Sequence, residues 1–326
     1  MKAIQCREYG LPATLEFSEV QVPTPADHEV LIQVKAVGIN FPDVLIIQNK
    51  YQFKPTLPFS PGGEVSGTIQ AVGRSVNNLK VGDSVIALCG WGGLAEFVNV
   101  KASRVFIMPP GVNSVQGAST LYTYGTSYHA LKDRAQLSAG EAVLVLGAGG
   151  GVGLAAVQLG NIMGATVIAA ASGNDKLNVC KKMGAHHVIN YSTEDLRTRI
   201  KEITGERGVD VVYDPVGGSL AEQALRSMAW KGRYLVVGFA SGIIPSFAAN
   251  LPLLKGASIV GVFWGSFAER EPERNAQNFS QLAFWVREGK INQHIHNIYS
   301  LEQAPQALQD LMDRKVIGKA IVQIAD

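Results

Sequence analysis

Ala142-Val143-Leu144-Val145-Leu146-Gly147-Ala148-Gly149-Gly150-Gly151-Val152-Gly153-Leu154-Ala155-Ala156-Val157-Gln158-Leu159 sets a glycine run between two apolar segments. Its five leading apolar residues read as a buried strand, the glycine run as a sharp turn, and the apolar continuation as a helix. A helix entered this way aims its free N–H groups and the positive end of its dipole at whatever lies over the turn, which suits a pyrophosphate. A side chain on the turn would block the phosphate. The run fits the dinucleotide fingerprint with Ala148 at its first glycine, and Gly150 and Gly153 at the second and third. A plain turn is the alternative for any glycine run, but the flanking strand and helix favour the dinucleotide site.

Outward from this centre, strand candidates alternate with helical patterns. Thr166–Ala170, His187–Ile189, Val209–Tyr213, Tyr234–Val237 and Ser258–Val262 read as strands, with helices near 174–183, 194–203 and 220–229 between them. Such alternation argues for a doubly wound parallel sheet, here spanning about 117 to 264. Upstream the grammar differs: Val30–Val37, Val65–Val72, Asp83–Leu88 and Ala95–Val100 have β character and are punctuated by Gly and Pro. Pro42 to Lys50 reads as a short helix or loop over that sheet. Downstream come helical patterns at 276–288 and 301–314, the second opened by a Ser300/Gln303 capping box, and a last strand, Lys319–Ile324, that returns to the first domain.

The bulk numbers bound the partners. A chain of 326 residues is long enough for two cores, and 29 basic against 27 acidic residues give a net charge of +2 with no basic tail. Nucleic acid and membrane surfaces are therefore not expected partners. Residues 1–7 turn polar too early for a signal peptide, so a cytoplasmic protein is the simplest reading. The three cysteines, Cys6, Cys89 and Cys180, lie far apart and read as buried thiols.

Five segments then carry a resemblance: 38–43 (GINFPD), 58–67 (PFSPGGEVSG), 93–97 (GLAEF), the run 147–153, and 232–238 (GRYLVVG). In this order and at these separations the chain resembles the medium-chain dehydrogenase/reductase superfamily, and within it the zinc-free quinone oxidoreductase branch, the relatives of zeta-crystallin. The resemblance implies an α/β protein. A β-rich GroES-like catalytic domain would span 1–116 and 265–326, and a Rossmann NADP-binding domain with a doubly wound parallel sheet would span 117–264. It also implies a homodimer, joined through the edge strand 258–262.

Zinc members of the superfamily hold the metal with a cysteine, a histidine in a G-H-E triplet, and a later cysteine or acid. The matching positions here are Asn40, Gly63 and Tyr122, none a usual zinc ligand, so no metal site is expected. His294-x-His296 puts two rings on one side of a strand but lacks a third ligand. Without a Lewis acid, simple alcohol oxidation is disfavoured, and acceptors that are already electrophilic are favoured, namely quinones and α,β-unsaturated carbonyls. Hydrogen-bond donors then have to serve the developing oxyanion.

The resemblance supplies two catalytic candidates. Asn40 replaces the zinc cysteine, and its amide can bond a carbonyl, a ribose or simply the local turn. Tyr51 falls where members often carry a tyrosine near the nicotinamide, although Ile47 and Asn49 stand where they often have arginine and glycine. Asp43 and Glu64 read as structural anchors of the site. Tyr122, Tyr124 and Thr126 lie in a segment that lines the cofactor in the family. Trp91, Phe263 and Trp264 are loop aromatics able to cover a flat ring.

The nucleotide is read from the end of the second Rossmann strand. NAD-binding units place Asp or Glu there for the ribose hydroxyls. Here the chain runs Ala170-Ala171-Ser172-Gly173, with Lys176 following. An acid would repel a 2′-phosphate, whereas Ser172 can donate to it and Lys176 can neutralise it. Ala-Ser-x-x-x-Lys resembles the NADP-specific branch, in which a tyrosine after the third strand, here Tyr191, approaches the same end. Asp175 reads as a first-turn helix residue. The cofactor set is thus Thr126, Gly150, Gly151, Val152, Gly153, Ser172, Lys176, Tyr191, Gly238, Phe239 and Phe263, and the cofactor NADPH. The implied activity is hydride transfer to a quinone or activated alkene. An enoyl thioester reductase and an NADPH-binding structural or interaction protein are the alternatives.

Overall fold

The computed structural model describes residues 1–324. The chain divides into two compact units, Met1–Tyr122 with Gln293–Asp326, and Thr123–Asn292.

The second unit is built on six parallel strands. Their spatial order is His187–Asn190, Thr166–Ala171, Ala142–Val145, Val209–Asp214, Met228–Val236 and Ser258–Gly261. The order reverses between Ala142–Val145 and Val209–Asp214, the switch point at which doubly wound sheets bind ligands. Ala142–Val145 is buried along its whole length, which accounts for its unbroken apolar reading. On one face, Ala142 and Leu144 pack with Ile168, Ile189, Val212, Leu225 and Tyr234 in one core.

The first unit carries a seven-stranded, largely antiparallel sheet organised around the long strand Glu29–Ile39. That strand pairs with Glu64–Val72, Phe97–Lys101 and Lys319–Gln323. The last strand returns as expected, with Ala320 opposite Ile39. Tyr299, Leu301, Leu308 and Val322 join Val30, Ile32 and Val65 in a single core.

The boundaries differ from the expected 1–116, 117–264 and 265–326, the last of which includes residues 325 and 326, outside the described residues. The first unit runs on to Tyr122, because Ser66 Oγ donates to Ser114 O at 2.6 Å and Tyr122 N to Glu64 Oε1 at 2.9 Å. The second unit runs on to Asn292, because the helices Trp264–Arg270 and Pro272–Arg287 pack within it. Asp133 holds the longer helix through Arg274 at 2.9 Å and Asn278 at 2.8 Å, and Trp285 meets the edge of Tyr128. The helix expected at 220–229 ends at Arg226, and Met228 already belongs to a strand. The helix Leu121–Tyr128, continued by a π-helical turn over His129–Arg134, had no clear apolar period to announce it.

Candidate active site

The helix Gly151–Ile162 begins at Gly150, which has extended backbone and no side chain to cap the first-turn N–H groups. Those groups suit an anion, the role expected of Gly150, Gly151 and Val152. At Gly153 a Cβ would collide with Gly147 O and lie 2.8 Å from Ala148 Cα. Helix and turn therefore touch backbone to backbone, which is the packing role of the third fingerprint glycine. Ala148 is fully buried and its N donates to Ala170 O at 3.0 Å, so a methyl is accommodated at the first position. Ser127 Oγ donates to Val152 O at 2.9 Å and lies 2.9 Å from the Tyr213 hydroxyl, which must then be the donor to Ser127. This ties the helix of half-buried Thr126 to the start of the glycine helix.

At the other end of the cradle, Ser172 is exposed directly after the strand Thr166–Ala171. Its carbonyl accepts from Ser192 Oγ at 3.1 Å, and Tyr191 N donates to Ala171 O at 3.2 Å, so Ser172 and Tyr191 stand at neighbouring strand ends. Asn190 braces this edge by donating to Asn174 Oδ1 at 3.1 Å and accepting from Ser192 N at 3.2 Å. Lys176 is not a lysine standing out from a helix face. A Cβ at Gly149 would lie 2.7 Å from Lys176 Cβ and 3.0 Å from its Cδ, so the aliphatic stem runs along the glycine turn. Asp175 is exposed in the first helical turn, where the dipole favours it.

The fourth strand ends in Asp214, 2% exposed. Its Oδ1 accepts from Val216 N at 2.7 Å and Gly217 N at 2.9 Å, and its Oδ2 from the Tyr234 hydroxyl. The Asp214 carbonyl accepts from Val237 N and Gly238 N. The backbone at Gly238 thus passes over the 215–217 turn, with the ring of Phe239 against Gly217. Phe263 is 47% exposed, but Trp264 is buried, packs on Gly125, and donates from Nε1 to Asn275 Oδ1 at 3.1 Å. Trp264 is therefore core, not a loop aromatic free to stack on a ring. Sequence reading missed Ser127, Tyr213 and Asp214; Ser127 meets Val152 and Tyr213, and Asp214 meets Tyr234 on the next strand as well as the turn that follows its own.

In the first unit, Asn40, Asp43, Glu64, Tyr122 and Lys319 converge, and all but Tyr122 are buried. Lys319 Nζ donates to Asn40 Oδ1 at 2.8 Å, Glu64 Oε2 at 3.0 Å and Ile39 O at 3.2 Å. Because an ammonium only donates, it fixes which end of the Asn40 amide faces it. Asn40 Nδ2 then donates to Gly38 O and Glu64 Oε2, each at 3.0 Å. Both amide hydrogens are engaged, so Asn40 has none left for a substrate carbonyl and acts on the site by position. Asp43 accepts from Asn40 N at 2.8 Å. Burial pushes its carboxyl up to about 6, against the opposing pull of N–H groups and Lys319. Asp43 and Glu64 are anchors, as their place in the sequence implied.

The Tyr51 hydroxyl lies 3.5 Å from that of Tyr122. Burial, reinforced by Tyr51, holds the Tyr122 hydroxyl well above its ordinary range, so it stays protonated. Asn49 has φ 57°, the left-handed conformation that glycine favours and asparagine tolerates. The loop leading to Tyr51 thus adopts a glycine-like turn despite the substitution.

The positions matched to zinc ligands border this cluster, and the donor set does not fit the metal. Gly63 offers no side chain, the Asn40 oxygen accepts from an ammonium, and a dication would have to sit beside Lys319. Among the described residues, no group of three or more His, Cys, Asp or Glu is arranged to hold a metal ion.

The chain matches the alcohol dehydrogenase GroES-like domain over residues 26–110 and the zinc-binding dehydrogenase family over 151–281. It is 38% identical over 324 residues to quinone oxidoreductase-like protein 2 of Bos taurus, covering 99% of this chain and 92% of that protein. A mycobacterial protein solved as a complex with NADPH is similar with a TM-score of 0.93 at 32% identity, covering 99% of this chain and 100% of the other. Escherichia coli quinone oxidoreductase, also complexed with NADPH, gives a TM-score of 0.92 at 29% identity and the same coverage. With these matches spanning both units, the chain belongs to the zinc-free quinone oxidoreductase branch of the medium-chain dehydrogenase/reductase superfamily.

Proposed function

We propose that this protein is an NADPH-dependent reductase that delivers hydride, without zinc, to a quinone or to the β-carbon of an activated α,β-unsaturated carbonyl. The observation that carries the cofactor assignment is the end of the second strand. No carboxylate stands there, Ser172 is exposed, and the stem of Lys176 lies along the glycine turn. The NADPH complexes of the two similar structures support the same choice.

Bound NADPH supplies the hydride. The first-turn N–H groups of the helix Gly151–Ile162 hold the pyrophosphate, with Gly153 keeping helix and turn together. Ser172, Lys176 and Tyr191 hold the 2′-phosphate, and Thr126, the Gly238–Phe239 backbone and Phe263 hold the rest of the nucleotide. Tyr51 donates a hydrogen bond to the acceptor oxygen as charge develops on it. Asn40 keeps its neighbours in place. The product's proton comes from Tyr51 or water.

We further propose a homodimer. The strand Ser258–Gly261 ends the six-stranded sheet and leaves Ile259 41% exposed, and light scattering should give twice the chain mass. The function is tested by NADPH oxidation across quinones, enones and enoyl thioesters. Tight NADPH binding without turnover of any acceptor would replace this reading with a binding role.

A further inference from the structure

We propose that Lys319 is a positioning residue for the acceptor side of the reaction, a built-in cation that fixes Glu64, Asn40 and the start of the helix bearing Tyr122. The proposal rests on the reading of Tyr51 as the donor to the acceptor. Lys319 is 4% exposed, and its Nζ has an acceptor for each of its N–H groups: Asn40 Oδ1, Glu64 Oε2 and Ile39 O. Glu64 is fully buried. Its Oε2 takes the ammonium and the Asn40 amide, and its Oε1 takes Tyr122 N at 2.9 Å, at the first turn of the helix Leu121–Tyr128. Tyr122 in turn sets the hydroxyl beside Tyr51.

The backbone makes room for this pair. At Gly38 a Cβ would lie 2.8 Å from Glu64 Oε2 and 2.9 Å from Lys319 Nζ, and would collide with Ala118 O. A buried ion pair adds little net stability over an apolar pair of the same shape. What this one supplies is geometry. The ammonium stands among the positions matched to zinc ligands, yet differs from a metal in its consequence: with every N–H engaged, it orients its neighbours but cannot take a substrate oxygen. That leaves the oxygen to Tyr51. The other titratable groups around the pair are Asp43, Tyr122 and the Cys89 thiol, which burial keeps protonated.

The test compares wild type with Lys319→Met and with the double variant Glu64→Gln/Lys319→Met. The readouts are Tm, kcat and KM with 9,10-phenanthrenequinone, and KM for NADPH. Lys319→Met should lower Tm by about 10 °C. The double variant should recover most of the Tm. It should nonetheless keep a kcat loss of at least about ten-fold, with KM for NADPH within about two-fold, since a misplaced donor costs turnover rather than cofactor binding. If Lys319→Met does not fold, the double variant decides alone. A double variant with wild-type kcat overturns the positioning role and leaves the pair to folding. An unchanged Tm for Lys319→Met overturns the ion pair itself. Absence of quinone turnover in the wild type overturns the functional reading instead.

Discussion

Gly149 and Lys176 are in such close apposition that a Cβ at position 149 would stand 2.7 Å from the lysine Cβ and 2.9 Å from its Cγ. The glycine turn and the stem of Lys176, the lysine proposed to hold the 2′-phosphate, are thus packed together. Gly149→Ala should displace the stem and raise KM for NADPH by about ten-fold, the worth of a weakened charged hydrogen bond. KM for NADH should stay within about two-fold. Lys176→Ala should do the same or more. If both cofactors are unaffected in steady-state kinetics, Lys176 is a solvated lysine.

Gly153 faces backbone rather than a flexible side chain, so Gly153→Ala cannot be relieved locally. The turn 147–148 or the helix must move. Stability should fall by about 1–3 kcal/mol, and NADPH affinity should fall with it. Differential scanning fluorimetry with and without NADPH checks both. An unshifted Tm would mean that the helix does not pack on the turn as described.

Tyr51→Phe removes the proposed donor and leaves the ring. Its kcat with 9,10-phenanthrenequinone should drop by about 10–100-fold, with KM for NADPH unchanged. Tyr122→Phe should have a smaller effect, since that hydroxyl acts through Tyr51. Unchanged turnover in Tyr51→Phe would assign the donor role to another group.

Asp43 predicts a pH signature. Burial raises its carboxyl to about 6, above the unfolded value of about 3.9. Between these limits the folded state binds more protons, so this group contributes stability at low pH that is lost as pH rises through about 6. The total is at most about 3 kcal/mol. Asp43→Asn lacks the titration, so wild type should lose stability relative to the variant as pH rises from 4 to 7. Denaturant melts at a series of pH values measure this, and parallel curves would contradict it.

The strand, glycine turn and helix were legible because their pattern is local. Residues 142–159 state strand, turn and helix in succession, and Ser172 and Lys176 follow the next strand end within a single helical turn. The cluster around Asn40 was not legible, because it is joined by a long-range contact: Lys319 and Glu64 are separated by 255 positions, and a lysine at the start of a strand looks ordinary in sequence. Of the partners open to the Asn40 amide in sequence, a carbonyl, a ribose or the local turn, the structure shows the local Gly38 carbonyl together with the Glu64 carboxylate. The return of the chain to the first unit was misplaced because the helix Pro272–Arg287 shows an apolar stripe without showing what the stripe covers. Phe263 and Trp264 looked alike as neighbours, and only packing on Gly125 separates the exposed ring from the buried one.

Zinc-free, NADPH-dependent quinone reduction is read from the ratio of kcat/KM for NADPH over NADH in chelator-treated protein with 9,10-phenanthrenequinone as acceptor. The predicted result is quinone-dependent oxidation that survives metal removal, with NADPH preferred by at least about ten-fold, the contribution of a charge-assisted phosphate contact. Equal or better use of NADH, or activity that disappears with the chelator, would contradict the account.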